Sequence, residues 1–225
     1  MSARFAVLVA LAVAAAACDS LPGRPTEAER PLRPAQVVDF DALYGANCSG
    51  CHGADGRHGG ARPLNDPLYL AFAGVARLTQ ITAAGVAGTP MPGFSAAAGG
   101  MLTDQQIDIL ATGMMSRWGR PGVERIGLPP YTPPTPGDVT RGAAAYGVYC
   151  AACHGADGGG GAKGGSVVGA YLGLVSDQAL RTAVICGRTD LGMPDWRGDV
   201  AGRAMREQDI DDVVAWLVAQ RPEFP

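Results

Sequence analysis

Apolar residues recur along this chain at helical spacing. Val37 to Asn47 and Val139 to Tyr149 carry them in that rhythm, and Asp138 is a good N-cap for the second stretch. Ser176 is placed to cap a helix running to about Cys186, with Gly187 as its stop. Ile107, Leu110 and Met114, and later Ile210, Val213, Val214 and Leu217, mark two amphipathic helices that close the pattern. Sustained alternation of the strand kind is absent. The pattern predicts an all-α chain.

Two stretches interrupt the periodicity. Leu21 to Pro34 is rich in proline and charge and reads as a flexible tether. Gly119 to Gly137 holds Pro121, Pro129, Pro130, Pro133, Pro134 and Pro136 and reads as an extended, semi-stiff linker. Before the tether, Arg4 and the apolar run Phe5 to Ala17 read as a secretory signal peptide, too short for the roughly 20 apolar residues that span a bilayer. The expected organisation is a signal peptide over 1–17, a tether over 18–34, a domain over 35–120, a linker over 121–135 and a second domain over 136–225.

The two sides of the linker repeat. Tyr44-Gly45 followed by Cys48-Ser49-Gly50-Cys51-His52-Gly53-Ala54-Asp55-Gly56 returns 102 residues later as Tyr146-Gly147 and Cys150-Ala151-Ala152-Cys153-His154-Gly155-Ala156-Asp157-Gly158. At the same offset Leu78 meets Leu180, Gly85 meets Gly187, Met91-Pro92 meets Met193-Pro194, and Phe94 meets Trp196. One inserted residue then brings Leu102 to Ile107 onto Met205 to Ile210. Two copies of one helical domain are the simplest account.

Composition sharpens this. With 33 glycines, 17 prolines and only 6% aromatic residues, each half has little of its own from which to build a core. A bound apolar cofactor is one way to supply it. The formal charge of -3 shows no basic footprint for nucleic acid.

The repeated C-x-x-C-H is the signature of c-type haem attachment. Two thiols three positions apart on a helical turn can add to the two vinyl groups of one porphyrin, and the histidine that follows points at the iron from the same side. Cys48 and Cys51 with His52, and Cys150 and Cys153 with His154, would each fix one haem covalently. A zinc site would draw both C-x-x-C pairs into one tetrahedron, whereas these pairs sit in separate repeats. A thioredoxin-like pair would need a βαβ setting, which the pattern lacks. The glycine-rich stretches Gly53 to Gly60 and Gly155 to Gly165 follow the motif and not a strand, so they are turns and not phosphate cradles. Burying several hundred Å² of macrocycle would contribute on the order of 10 kcal/mol at about 25 cal/mol per Å². The chain without haem should therefore be largely unfolded.

Met91 lies 39 residues after His52, and Met193 lies 39 after His154; a proline follows each. Methionine is ordinarily core filler, and Met114, Met115 and Met205 fit that role on expected helices, with Met101 unassigned. The matched spacing and loop setting of Met91 and Met193 point instead to the sixth iron ligand. A thioether there raises the reduction potential and fills the coordination sphere.

Both halves resemble class I c-type cytochromes in the order helix, C-x-x-C-H, loop, helix, Met-Pro, closing helix, over about Ala35 to Trp118 and Pro136 to Arg221. The resemblance implies two covalently bound haem c groups and single-electron transfer, with no substrate transformed. It implies that a proline just past the motif offers its carbonyl to the proximal imidazole. Pro63 matches in the first half, and Gly165 stands at that place in the second. It also implies a close crossing of first and last helices at a small residue. Gly142 suits this, while Phe40 aligns with it in the first half, where the crossing must be looser or shifted.

Ala15-Ala16-Ala17-Cys18 resembles the lipobox of bacterial lipoproteins, which makes Cys18 a candidate for lipidation. Ala15 stands where leucine is usual, so a plain signal peptide or an uncleaved anchor are the other readings. Asp19 beside it resembles an inner-membrane retention signal. The expected place is the periplasmic side of a bacterial inner membrane or the soluble periplasm. The expected partners are redox proteins, including a membrane electron-transfer complex, and the membrane itself through the lipid anchor. His58, six residues past His52, reads as a solvated loop histidine. Cys186 reads as a small buried residue. Its sharper reading, a thiolate ligand in place of Met193, belongs to the alternative of a di-haem peroxidase or thiosulfate-oxidising enzyme.

Overall fold

The computed structural model describes residues 29–198 and 204–222, with Gly23 and Thr26. The expected signal peptide, most of the tether, and Cys18 with Asp19 lie outside the described residues. Val37–Pro225 forms one compact unit. In the segment up to Gln36, the described residues hold a short 3-10 turn, Pro34–Gln36.

Among the described residues eight α-helices occur and no strand, as the periodicity predicts. The first half contains α1 (Phe40–Asn47), the motif turn α2 (Ser49–His52), α3 (Pro67–Ala84) and α4 (Asp104–Trp118). The second contains α5 (Val139–Tyr149), the motif turn α6 (Ala151–His154), α7 (Asp177–Cys186) and α8 (Glu207–Ala219). Capping residues fix most boundaries. Asp138 accepts from Arg141 N and Ser176 from Ala179 N, so α5 and α7 begin where the sequence places them. α1 starts three residues later than the apolar pattern at Val37, because Asp39 caps it by accepting from Ala42 N. The Val37 carbonyl instead accepts from Gln106 Nε2 at 2.9 Å, with Gln106 held in a capping box with Thr103.

The cores follow the repeat. Leu43, Leu70, Leu78, Ile107, Leu110 and Met114 are buried in the first half. Tyr146, Leu172, Leu180, Ile185, Ile210 and Val213 are buried in the second. Met101 is a surface residue, 89% exposed. Met205 precedes α8 instead of lying on it, and its N–H donates to the Trp196 carbonyl.

The proline-rich segment, expected as an extended, semi-stiff linker, also packs on both halves. Tyr131 packs on Phe72 of α3, with ring centroids 5.1 Å apart, and the Arg77 guanidinium lies 4.7 Å from the centre of its ring. From α7, Arg181 donates to the Pro130 carbonyl at 2.9 Å and Gln178 to the Tyr131 carbonyl at 3.0 Å. Arg181 is also paired with Asp211 of α8, both almost fully buried. The segment is not helical, so the Pro130 and Tyr131 carbonyls have no ladder to join and are satisfied by side chains of α7. That turns the linker into a wedge between the halves.

The two crossings of first and last helices use the same positions with opposite residues. In the second half a Cβ on Gly142 would lie 2.0 Å from the Asp212 carbonyl oxygen and 2.8 Å from Trp216 Cβ. In the first half the large residue is Phe40 on α1, and the small one is Gly113 on α4, where a Cβ would lie 2.2 Å from the Phe40 ring. The first-half crossing is looser and shifted, as expected: the glycine has moved to the other helix, and its Cβ would meet the Phe40 side chain where that of Gly142 would meet backbone.

Candidate functional site

Each motif sits on one helical turn that follows directly on the first helix of its half. The cap N–H groups of Cys48 and Cys150 bond back to the carbonyls of Tyr44 and Tyr146, which joins the two helices without a loop. The same tyrosines clamp the end of the motif. Tyr44 Oη donates to the Gly53 carbonyl at 2.9 Å, and Tyr146 Oη donates to the Gly155 carbonyl at 2.8 Å. The repeat shows both tyrosines in the sequence but does not show this role. Their aromatic packing, on Phe40 and Trp118 in one half and on Trp216 in the other, fixes each ring and so its hydroxyl.

The thiols of each motif are unpaired. Burial, and after it the neighbouring Cys51, pushes the Cys48 thiol up to about 11. Burial, and after it Cys153, does the same to Cys150, also to about 11.

The imidazoles are oriented by backbone. His52 Nδ1 lies 2.7 Å from the Arg62 carbonyl, and His154 Nδ1 lies 2.7 Å from the Gly165 carbonyl. A carbonyl only accepts, so Nδ1 carries the proton in both rings and Nε2 keeps its lone pair for a metal. Burial holds the His52 pKa below its ordinary value, against the opposing effect of that hydrogen bond, so the ring stays neutral. Gly165 supplies the second-half carbonyl although it departs from the proline of the resemblance. In the first half the carbonyl is that of Arg62 and not Pro63. Pro63 acts one step removed, because a residue before a proline is biased to extended backbone, which narrows the directions the Arg62 carbonyl can take.

The methionine loops are pinned to the helices before them. Gly85 ends α3 at φ 72°, and Gly187 ends α7 at φ 68°. A Cβ on Gly85 would lie 2.7 Å from the Met91 carbonyl oxygen, and one on Gly187 would lie 2.6 Å from that of Met193. The chain then returns: Phe94 N–H donates to the Thr82 carbonyl and Trp196 N–H to the Ile185 carbonyl. Met91 and Met193 are both half-buried at equivalent points of these loops. Two thiols on one turn, an imidazole with its outer nitrogen fixed, and a methionine on a tied loop make a donor set that fits a covalently held haem in each half.

The remaining candidates fall elsewhere. His58 is exposed, with Nδ1 3.6 Å from the equally exposed Asp55. Cys186 is fully buried, and burial above all pushes its thiol up to about 12. Among the described residues no cluster of three or more His, Cys, Asp or Glu could hold another metal ion, and no helix is long and apolar enough to cross a membrane.

The family model described as cytochrome c oxidase, cbb3-type, subunit III matches the chain twice, over residues 35–112 and 137–217. No curated protein matches it.

Proposed function

The chain belongs to this cytochrome c family, an all-α protein of two tandem cytochrome c-like domains whose chemistry is haem-based electron transfer, and we propose that it is a di-haem carrier serving a membrane respiratory complex from the periplasmic side. One haem c is held by Cys48, Cys51, His52 and Met91, the other by Cys150, Cys153, His154 and Met193. The bound group supplies the one-electron chemistry. The protein supplies the rest. The tyrosine clamps hold the motif turns, the carbonyls of Arg62 and Gly165 set the imidazole tautomer, and the pinned loops present the sulfurs.

The observation that carries this reading is the pairing of two C-x-x-C-H turns, each with its histidine Nδ1 on a backbone carbonyl at 2.7 Å. Partners of the oxidase type fit the description of the matched family. Lipidation at Cys18 would keep the carrier at the membrane. The alternative of a peroxidase or thiosulfate-oxidising enzyme finds less support, because two equivalent methionine loops offer no open position. A thiol pushed up to about 12 at Cys186 is a poor thiolate donor.

The test is the oxidised visible and near-infrared spectrum of the exported protein, with haem quantified per chain. Two acid-acetone-resistant haems and two methionine-to-iron bands are expected. A single methionine band with a thiolate signature would move the assignment to the enzyme.

A further inference from the structure

Arg62 belongs to the first half by sequence, yet its side chain ends in the second. Nη2 donates to the Thr182 carbonyl at 3.1 Å and to the Gly187 carbonyl at 2.9 Å. These carbonyls lie at the C-terminal end of α7, where the partial negative charge of the helix favours a cation. Gly187 is also the residue against which the Met193 loop packs, with Pro194 O 2.4 Å from where a Cβ would stand. Arg188, next in the chain, exchanges two backbone hydrogen bonds with Met193. Meanwhile the Arg62 main-chain carbonyl receives His52 Nδ1. One residue therefore touches the imidazole of the first motif and the root of the methionine loop of the second.

The surroundings direct the guanidinium toward α7. Its side chain is 17% exposed, and Asp66, the nearest carboxylate, lies 3.6 Å from Nη1. Nη1 has no hydrogen-bond partner, so Asp66 balances the charge without capturing the fork. The Tyr69 ring lies 5.3 Å below it. The directional bonds of the side chain thus go to the second half. The position equivalent to Arg62 in the repeat is Gly164, which has no side chain to send back.

We propose that Arg62 is a positioning residue that holds the Met193 loop in ligating geometry, so that ligation in the second half depends on the first half and not the reverse. This rests on the ligand assignment made above for Met193. Loss of the fork frees the two carbonyls at the end of α7 and loosens the turn from Gly187 to Met193. A competing ligand should then displace the methionine more easily.

The experiment isolates one methionine at a time in the full-length, haem-loaded chain. In Met91→Ala the remaining methionine-to-iron band reports the second centre, and in Met193→Ala it reports the first. Arg62→Met is added to each, and imidazole is titrated against the band. At the second centre imidazole should bind at least tenfold more tightly than in the Met91→Ala parent, while the first centre changes less than twofold. Arg62→Lys keeps the charge on a shorter side chain without the planar guanidinium that aims Nη2 at both carbonyls, and should fall between. It also serves if Arg62→Met fails to fold. An unchanged second centre in whichever of these variants folds, or equal changes at both centres, overturns the coupling alone. A Met91→Ala parent with two haems and no methionine band overturns the ligand assignment, and the coupling with it.

Discussion

In the first half the crossing of α1 and α4 sets the Phe40 ring into the gap left by Gly113. In the second half the crossing of α5 and α8 sets the stem of Trp216 and the Asp212 carbonyl against Gly142. Phe40 and Gly142 are equivalent in the repeat, and so are Gly113 and Trp216 once the inserted residue is counted. The two halves hold one large and one glycine residue at the same contact and exchange which helix carries which. The glycine of such a crossing can therefore sit on either helix, although only Gly142 brings one helix against the backbone of the other. The same holds for the imidazole. One half reaches its histidine with the Arg62 carbonyl ten residues on, braced by Pro63. The other uses Gly165 eleven residues on, with Gly164 so near that a Cβ there would lie 2.8 Å from His154 Nδ1. A stiff proline loop and a close glycine loop arrive at the same 2.7 Å hydrogen bond.

The largest effect that separates the halves comes from removing one attachment turn. Cys48→Ala with Cys51→Ala, or Cys150→Ala with Cys153→Ala, should halve the haem per chain by pyridine haemochrome assay. Removing all four should leave a largely unfolded chain, since on the order of 10 kcal/mol of apolar burial is withdrawn. Full native helicity by circular dichroism in the fourfold variant would contradict the cofactor's share in the core.

Next is the exchange at the crossing. Gly142→Phe alone should destabilise by about 3 kcal/mol or more, because the new side chain meets both the Asp212 carbonyl and the Trp216 stem. Adding Trp216→Gly imports the first-half arrangement and should recover at least about 1 kcal/mol beyond additivity in urea unfolding. Strict additivity would mean that the two crossings are not alternative solutions of one packing problem.

A smaller effect belongs to the second half alone. Asp212 accepts from the Asp138 N–H, from Gln208 and from Arg141, at 2.7 to 2.9 Å, and its equivalent in the first half is Ile109. The Arg141 hydrogen bond above all holds the Asp212 pKa below the usual carboxylate range, against desolvation. A lowered folded-state pKa gives stability that is present above the unfolded value and lost as pH falls through the folded one. Asp212→Asn should therefore lower the urea midpoint at neutral pH, by less than the crossing variants, and converge with the unaltered protein in acid. A difference that persists unchanged into acid would place the effect elsewhere.

These comparisons also show what the sequence could and could not disclose. Asp138, Ser176 and Gly187 mark helix ends because a cap acts on N–H and C=O groups within four residues of itself. The motif turns and the methionine loops were legible because the repeat prints them twice. The Gly113 partner of Phe40 was hidden, since alignment compares position with position while packing compares a residue with what faces it across another helix. The carbonyl of Arg62 was misassigned to Pro63 because the two loops reach the imidazole in registers one residue apart. The wedge at Pro130 and Tyr131 and the reach of Arg62 to Gly187 depend on side chains meeting partners 47 to 125 residues away. No local pattern encodes such contacts.

The smallest expected effect tests the register of the first-half imidazole. Pro63→Ala leaves the Arg62 carbonyl in place but frees its direction, because the restriction on the residue before proline is gone. The His52 Nδ1–H bond should lengthen or sample other geometries. An imidazole that donates less to a carbonyl is a weaker base and stabilises the oxidised iron less. The potential of the first centre should therefore rise, by less than the 59 mV that marks a tenfold change in a one-electron couple. The second centre, whose carbonyl comes from Gly165 and has no proline behind it, should not move. Stability should fall by about 0.4–1 kcal/mol through the freer unfolded chain, a change that by itself moves neither potential. Potentiometry resolved by the methionine band, in Met193→Ala for the first centre and Met91→Ala for the second, reads the two separately. A fall in the first potential, or equal shifts in both, would mean that Pro63 does not act through the Arg62 carbonyl.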